Sequence, residues 1–309
     1  MIALALVMTM PIAEAKTDNG QKPWQDPEIV QENRLPMSAT FVTDQQETVS
    51  LDGMWKFAWS ESLDGRTEGF ETVAFDDSSW GTIPVPGMWE LNGYGDPVYV
   101  NVGYAWRGLS GTNPPVVPVE HNHVGQYRRT FNLDPSWAGK QIRLRIGSAT
   151  SNVQVWVNGR KVGYSEDSKL EATFDITRFV KPGENLIAME VHRWCDGTYL
   201  EDQDFWRFSG IARGVTLFTR EKDRLENVRI AAGMDGNFTV SAEVTSGVRS
   251  LAFEIADSEG NTVASLSGKP LKDGTCTLSG TVADPALWSA ETPVLYTLKA
   301  KAFTKGGLS

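Results

Sequence analysis

The stretch that decides the fold runs from position 153 to 164 and reads Val153-Gln154-Val155-Trp156-Val157-Asn158-Gly159-Arg160-Lys161-Val162-Gly163-Tyr164. Valines occupy every second position before the Asn-Gly pair, and alternation with period two is typical of a β-strand with one buried face. Asn-Gly readily adopts the positive φ angles that a two-residue hairpin turn needs. The stretch therefore predicts a β-hairpin.

Short segments of the same kind flank this hairpin on both sides. They are Gly53–Phe57, Val98–Val102, Gln126–Leu133, Ile142–Ile146 and Leu186–Val191. Strands this short, separated by Gly- and Pro-containing turns at regular intervals, predict an all-β sandwich. No helical period is sustained anywhere after the first fifteen residues.

A charged segment, Arg220–Leu225, separates this region from a second β region. Thr239–Val244 and Leu251–Ile255 alternate there, and Asp257–Asn261 has the composition of a hairpin turn. Ala286–Ser289 and Pro293–Leu298 are predicted to close the domain. The pattern is typical of a small immunoglobulin-like sandwich. Because the chain stops just after a strand, we expect that sandwich to be incomplete.

The N-terminus has two parts with different compositions. Residues 1–15 are mostly apolar and end in Ala13-Glu14-Ala15, so they predict a secretory signal peptide, although a basic n-region is missing. We therefore expect an exported protein, periplasmic or secreted. Residues 16–48 are polar and contain prolines, which predicts an extended arm or, alternatively, a disordered linker.

Charge and metal-ligating residues exclude several functions. Lys plus Arg number 29 and Asp plus Glu 39, so the net charge is −10. An acidic chain is a poor partner for nucleic acid or an anionic membrane. The two cysteines, Cys195 and Cys276, form neither a disulfide framework nor a zinc motif. His121 and His123 could bind a metal, but no third ligand lies nearby, and a solvated loop pair is favoured.

The run from Arg193 to Arg213 has the composition of a sugar-binding segment. Four carboxylates, those of Asp196, Glu201, Asp202 and Asp204, are interspersed with five aromatic residues. Carboxylates accept hydrogen bonds from sugar hydroxyls, and aromatic rings cover the apolar faces of a sugar ring. The alternative is a long sandwich loop whose acids pair with its own arginines.

The same run carries a family resemblance. Tyr199-Leu200-Glu201-Asp202-Gln203-Asp204-Phe205-Trp206-Arg207-Phe208-Ser209-Gly210-Ile211-Ala212-Arg213 resembles a signature of bacterial β-galactosidases of glycoside hydrolase family 2. Further matching segments include Leu51–Trp59, Pro97–Val102, Asn158–Tyr164 and Leu287–Glu291. Phe205 and Ala212 depart from the family pattern. The resemblance implies a jelly-roll, galactose-binding-like sandwich over 49–219, an immunoglobulin-like sandwich over 222–309, and a catalytic barrel that this chain lacks.

The resemblance also implies roles for two residues. Asn101 corresponds to an asparagine that reaches into the galactose site, and Asp204 to an aspartate that bonds galactosyl hydroxyls and helps to hold a sodium ion. Alternatively, Asn101 caps a strand end and Asp204 pairs with Arg207. Family magnesium is held by barrel residues, so its site is expected outside this chain.

Catalysis by this chain alone is not expected. A retaining glycosidase needs two carboxyl groups about 5–5.5 Å apart. Glu201 and Asp204 could be that pair, but one loop offers little to raise one pKa while keeping the other low. The resemblance places both catalytic residues beyond position 309, in a full-length homo-oligomer that hydrolyses terminal β-galactosides with retention. In that family the arm contacts a neighbouring subunit.

The alternatives to a β-galactosidase are a β-glucuronidase, a β-mannosidase, or a stand-alone carbohydrate-binding module.

Overall fold

A computed structural model describes residues 22–37, 46–108, 111, 113–201 and 204–308. The predicted signal peptide, residues 1–15, lies outside the described residues, as do 16–21 and 38–45 of the predicted arm. The described chain forms two compact units, divided near position 220. None of the described segments is a helix of the length and apolarity needed to cross a membrane.

The first unit is made of short strands joined by loops and single turns of 3-10 helix. Its strands are β1 (Gln31–Glu32), β2 (Thr48–Ser50), β3 (Gly53–Ser60), β4 (Gly81–Val85), β5 (Gly87–Met88), β6 (Val98–Val100), β7 (Val124–Leu133), β8 (Gln141–Ile146), β9 (Ala149–Thr150), β10 (Val153–Val157), β11 (Arg160–Ser165), β12 (Ala172–Asp175), β13 (Gly183–His192), β14 (Phe205–Arg207), β15 (Gly210–Ile211) and β16 (Val215–Arg220). Its 3-10 turns are Pro23–Gln25, Leu63–Gly65, Glu90–Asn92, Pro135–Trp137 and Asp196–Tyr199.

Two antiparallel sheets form the sandwich of this unit. The larger has the strand order β1-β11-β10-β13-β7-β3-β4, and the smaller has the order β12-β8-β16-β2. Along β8, Ile142, Leu144 and Ile146 are buried while the residues between them are partly exposed. They join one core with Trp55 and Tyr127 of the larger sheet. The predicted jelly-roll sandwich is confirmed.

The predicted hairpin is β10 and β11, joined at Asn158-Gly159. Both turn residues have positive φ, 52° and 78°. The Asn158 side chain also reaches a third strand, because its Oδ1 accepts a hydrogen bond from the backbone N–H of Leu186 at 2.9 Å. Its Nδ2 donates to Asn185 Oδ1 at 2.8 Å. The turn residue therefore ties the hairpin to the start of β13.

The described part of the predicted arm is folded onto the first unit. Strand β1 pairs with β11, with Gln31 opposite Ser165. The ring of Trp24 is buried, 4.5 Å from that of His192. Arg34 donates to Ser165 Oγ at 2.9 Å. These contacts lie within one chain, and the contact with a neighbouring subunit stays a prediction.

The second unit is the predicted immunoglobulin-like sandwich. Its strands are β17 (Leu225–Ala232), β18 (Asn237–Val244), β19 (Ser250–Ala256), β20 (Thr262–Gly268), β21 (Thr275–Thr281), β22 (Thr297–Thr304) and β23 (Gly307–Leu308). They form sheets of order β17-β18-β21 and β20-β19-β22-β23. Phe238, Val240, Leu251 and Phe253 lie in the core between them.

The closing strands predicted for this unit are largely wrong. Of the two segments, only Thr297 and Leu298 belong to a strand, β22. Proline has no N–H to donate to a sheet, and Pro285 and Pro293 flank the stretch. Trp288 is 61% and Leu295 is 69% exposed, so the apolar residues that suggested buried strands face outward.

A buried asparagine provides a test of this fold. Asn185 Oδ1 accepts from the N–H of Lys181 at 2.9 Å, and its Nδ2 donates to the carbonyls of Lys181 and Gly183. We expect Asn185→Ala to lower the free energy of unfolding of the first unit by about 2–4 kcal/mol, because buried backbone groups lose their partners. Urea unfolding measures the change. Asn132→Ala, at an exposed position of β7, is the control, and equal effects of the two variants would contradict the assignment.

Candidate functional site

A two-stranded ribbon brings together the two predicted galactose-contacting residues. In it β6 pairs antiparallel with β14, with Val100 opposite Phe205 and Tyr99 opposite Trp206. Asn101 directly follows β6 and Asp204 directly precedes β14. Continuing the register by one residue sets Asn101 and Asp204 opposite each other. Residues from distant parts of the sequence thus share one end of the ribbon.

Asp204 lies on an exposed face with two aromatic rings. Its Oδ1 accepts a hydrogen bond from the Tyr99 hydroxyl at 2.5 Å. This hydrogen bond and the charge of Asp204 raise the pKa of Tyr99, so the phenol stays a donor. The Tyr99 and Trp206 rings lie 5.5 Å apart and are about half exposed, at 51% and 52%. The arrangement offers a carboxylate beside an apolar wall.

Asn101 is also exposed at this end of the ribbon. Its amide can donate as well as accept, which complements an acid that only accepts. Together the two side chains can satisfy both the hydrogen and the oxygen of a sugar hydroxyl. For Asp204, the hydrogen-bond partner that the structure shows is Tyr99, a residue that composition alone did not single out.

Glu201 has a different surrounding from Asp204. Its Oε1 accepts from the backbone N–H of Ser168 at 2.9 Å, which ties its loop to the loop after β11. Its charge also acts on Lys169 and Arg207. These contacts give Glu201 a positioning role in the loop.

A buried acidic cluster lies in the same unit, and sequence reasoning missed it. Ligand atoms of Glu166, Cys195 and Asp196 all lie within 4.8 Å of one another. The Tyr164 hydroxyl donates to Glu166 Oε1 at 2.6 Å. Asp196 is therefore buried beside another acid, and the expectation that it serves sugar contact from an exposed loop is not supported by its position.

Electrostatics within this cluster favour a shared proton or a cation. Burial raises the pKa of Glu166 to about 8, and the charge of Asp196 adds to that, while the Tyr164 hydrogen bond opposes it. Burial also raises the pKa of Asp196. Two adjacent buried carboxylates resist ionising together, so the pair shares a proton or binds a divalent cation. Burial likewise raises the pKa of the Cys195 thiol, which makes sulfur the weakest of the three ligands.

The histidine pair does not form a metal site among the described residues. His121 is exposed with φ of 60°, whereas His123 is buried. His123 Nδ1 lies 3.0 Å from Nη1 of Arg193. Burial and the charge of Arg193 lower the pKa of His123 to about 4. His123 is thus a neutral partner of an arginine and is not a solvated loop residue.

Comparison with known proteins places both units in one family. Residues 48–221 match the family model for the sugar binding domain of glycosyl hydrolases family 2, and residues 222–309 match a second model of that family. The β-galactosidase of Priestia megaterium is 37% identical in an alignment 310 positions long, which covers 91% of this chain and 30% of the relative. That of Lactobacillus delbrueckii subsp. bulgaricus is 34% identical, over 96% of this chain and 31% of the relative. The chain thus spans about 30% of the length of these curated relatives.

Several solved structures with the same fold are β-glucuronidases. A calcium-binding mutant of Bacteroides uniformis β-glucuronidase 2 superimposes with a TM-score of 0.66 at 25% identity, over 85% of this chain and 32% of that one. The Ruminococcus gnavus β-glucuronidase has a TM-score of 0.65 at 21% identity, over 89% and 45%. The second similarity shows the fold alone.

The buried acid pair predicts a pH dependence of stability in chelating buffer. Glu166 has a folded pKa of about 8 against an ordinary value of 4.5, so the folded state holds the extra proton between these values. Stability therefore falls as the pH rises from about 4.5 to about 8. We expect Glu166→Gln to reduce that fall, with the remainder due to the buried Asp196, and to be more stable than the wild type by roughly 3–5 kcal/mol at pH 8.

Thermal unfolding at a series of pH values in EDTA measures this difference. The matched control is Glu184→Gln, because Glu184 is exposed near the start of β13. Parallel pH profiles of the wild type and the Glu166 variant would refute the assignment.

Proposed function

Since the chain belongs to glycosyl hydrolases family 2, we propose that it is the N-terminal part of a β-galactosidase that hydrolyses terminal β-D-galactose residues with retention. The observation that carries the proposal is the exposed carboxylate of Asp204, held by Tyr99 beside Trp206, at the same end of the ribbon as Asn101. The similarity to β-galactosidases at 34–37% identity supports the choice of galactose.

In this proposal the ribbon forms one wall of the galactose pocket. The Tyr99 hydroxyl occupies one lone pair of Asp204 and orients the carboxylate, so the other oxygen is available to galactosyl hydroxyls. Asn101 supplies the complementary donor. The two catalytic carboxyl groups come from a barrel outside this chain, and the 309-residue chain alone is inactive. Export and homo-oligomerisation of the full-length enzyme are part of the same proposal.

Sodium fits the same end of the ribbon as a partial site. The carboxylate of Asp204 is a hard oxygen ligand of the kind that such cations prefer. A bound cation there would supply positive charge for substrate hydroxyl oxygens. Magnesium is proposed to bind outside this chain.

A β-glucuronidase is the second candidate, because a solved structure with this fold and 25% sequence identity carries that name. The run Glu201-Asp202-Gln203-Asp204 resembles the β-galactosidase signature and favours galactose. Comparing nitrophenyl β-galactoside, β-glucuronide and β-mannoside on the full-length gene product decides between these specificities. A stand-alone binding module would turn over none of them.

The role of Asp204 is tested by Asp204→Asn in the full-length enzyme. We expect kcat/KM for nitrophenyl β-galactoside to fall about 10- to 100-fold, because a charge-assisted hydrogen bond to substrate contributes about 1.5–3 kcal/mol. Asp64→Asn, an exposed acid in another turn, is the matched control and should be unchanged. Turnover by the isolated chain that is lost in Asp204→Asn would make this acid catalytic and overturn the proposal.

The sodium proposal predicts an ion dependence that requires Asp204. Replacing sodium by choline at constant ionic strength should raise KM of the wild-type enzyme several-fold, and should leave KM of Asp204→Asn nearly unchanged. Initial rates at a series of sodium concentrations measure KM for the wild-type enzyme and for Asp204→Asn. An equal response of the two enzymes would place the ion elsewhere.

A further inference from the structure

A cavity of about 320 Å³ lies in the first unit, next to the ribbon. Neither Asp204 nor Asn101 lines it, although Trp206 contributes both to the cavity and to the exposed face. Its volume is within the range of small-ligand sites. Its buried floor is polar and is made by Ser151, Ser168, Arg193, Thr198 and Ser209.

Positive charge is in excess in this cavity. The charged side chains that line it are Lys169, Arg193, Arg207, Asp167 and Glu201. Three cations thus face two acids: Asp167 lies 3.8 Å from Arg34, which does not line the cavity, and the charge of Glu201 acts on both Lys169 and Arg207. The chain as a whole has a net charge of −10, so a cationic cavity is a local departure.

Lys169 lies within the electrostatic influence of one acid and two other cations. Burial lowers the pKa of Lys169, and the charges of Arg207 and Arg213 lower it further, while Glu201 opposes them. Like charges held together in a partly desolvated place are stabilised by an anion that binds among them.

Two buried donors in the cavity have no hydrogen-bond partner among the described residues. Arg193 is only 7% exposed, and its guanidinium is fixed by His123 at Nη1 and by the carbonyl of Asp96 at Nη2. Its Nε has no partner, and neither has the buried Oγ1 of Thr150. Buried donors are almost always satisfied, so these two atoms are available to the acceptor oxygens of a water molecule or of a bound ligand.

We propose that this cavity is a second carbohydrate site that binds an acidic sugar, a uronic acid residue. Its carboxylate binds between Arg193 Nε, Thr150 Oγ1 and Lys169. Its hydroxyls meet the serine floor. The rings of Trp194, Trp206 and Phe208 cover the apolar face of the sugar. The proposal does not depend on which glycoside the full-length enzyme hydrolyses.

Isothermal titration of the 309-residue chain with methyl β-D-glucuronide, beside the neutral methyl β-D-glucoside, tests this site. At low ionic strength we expect the glucuronide to bind at least about tenfold more tightly, because its carboxylate makes charge-assisted hydrogen bonds. Raising the salt concentration to about 0.3 M should reduce the difference in affinity between the glucuronide and the glucoside, because salt screens the attraction between the exposed Lys169 and the carboxylate. Equal affinities, or no binding of the glucuronide up to tens of millimolar, would overturn the proposal.

Substitutions of residues that line the cavity test whether the glucuronide binds there. Lys169→Gln and Thr150→Val should each weaken glucuronide binding several-fold, with little effect on the glucoside. Lys181→Gln removes the same charge at an exposed turn away from the cavity and should have no effect. Asp204→Asn should also have no effect, which separates this cavity from the proposed galactose face. Unchanged affinity in Lys169→Gln and Thr150→Val would refute the site even if the glucuronide binds.

Discussion

Ten consecutive residue pairs join β7 to β13 at the centre of the larger sheet, from Leu133 opposite Gly183 to Val124 opposite His192. Beyond the last pair the two chains stay together. The Arg193 N–H donates to the His123 carbonyl at 2.8 Å. The Asn122 amide then bonds both the N–H and the carbonyl of Trp194. These continuous hydrogen bonds determine where the chain leaves the sheet. The segment with the four acids, which follows Trp194, therefore begins at a position that the sheet defines.

The ladder separates two kinds of carboxylate that are close in sequence. Asp196 comes directly after the rigid segment and is buried beside Glu166, where burial raises the pKa values of both acids. Asp204 lies further along, on a ribbon at the surface, and it accepts a hydrogen bond from Tyr99. The first can hold a proton or a cation within the fold. The second is exposed and suited to a polar ligand. One loop therefore provides both a buried and an exposed acid.

Much of the fold could be predicted from local sequence. The Asn158-Gly159 turn and the alternating strands around it are where predicted, because strand period and turn conformation are local properties. The closing strands of the second unit were wrong for a local reason too. Pro285 and Pro293 flank apolar residues whose exposure could not be read from the pattern. Asn101 and Asp204 were found through a family signature. Glu166 was missed because nothing in its local sequence distinguishes a buried acid from a solvated one.

By itself the sequence determined the class of fold, the two β regions and the residue types available for sugar chemistry, since periodicity, turn residues and composition act over short distances. Only the tertiary structure decided which of these residues meet. The register of β6 with β14 sets Asn101 opposite Asp204, and the loop packing places Asp196 against Glu166. It also gathers Lys169, Arg193 and Arg207 around one cavity. Burial and distance between residues far apart in the chain determine charge state and contact, and neither is a property of a local segment.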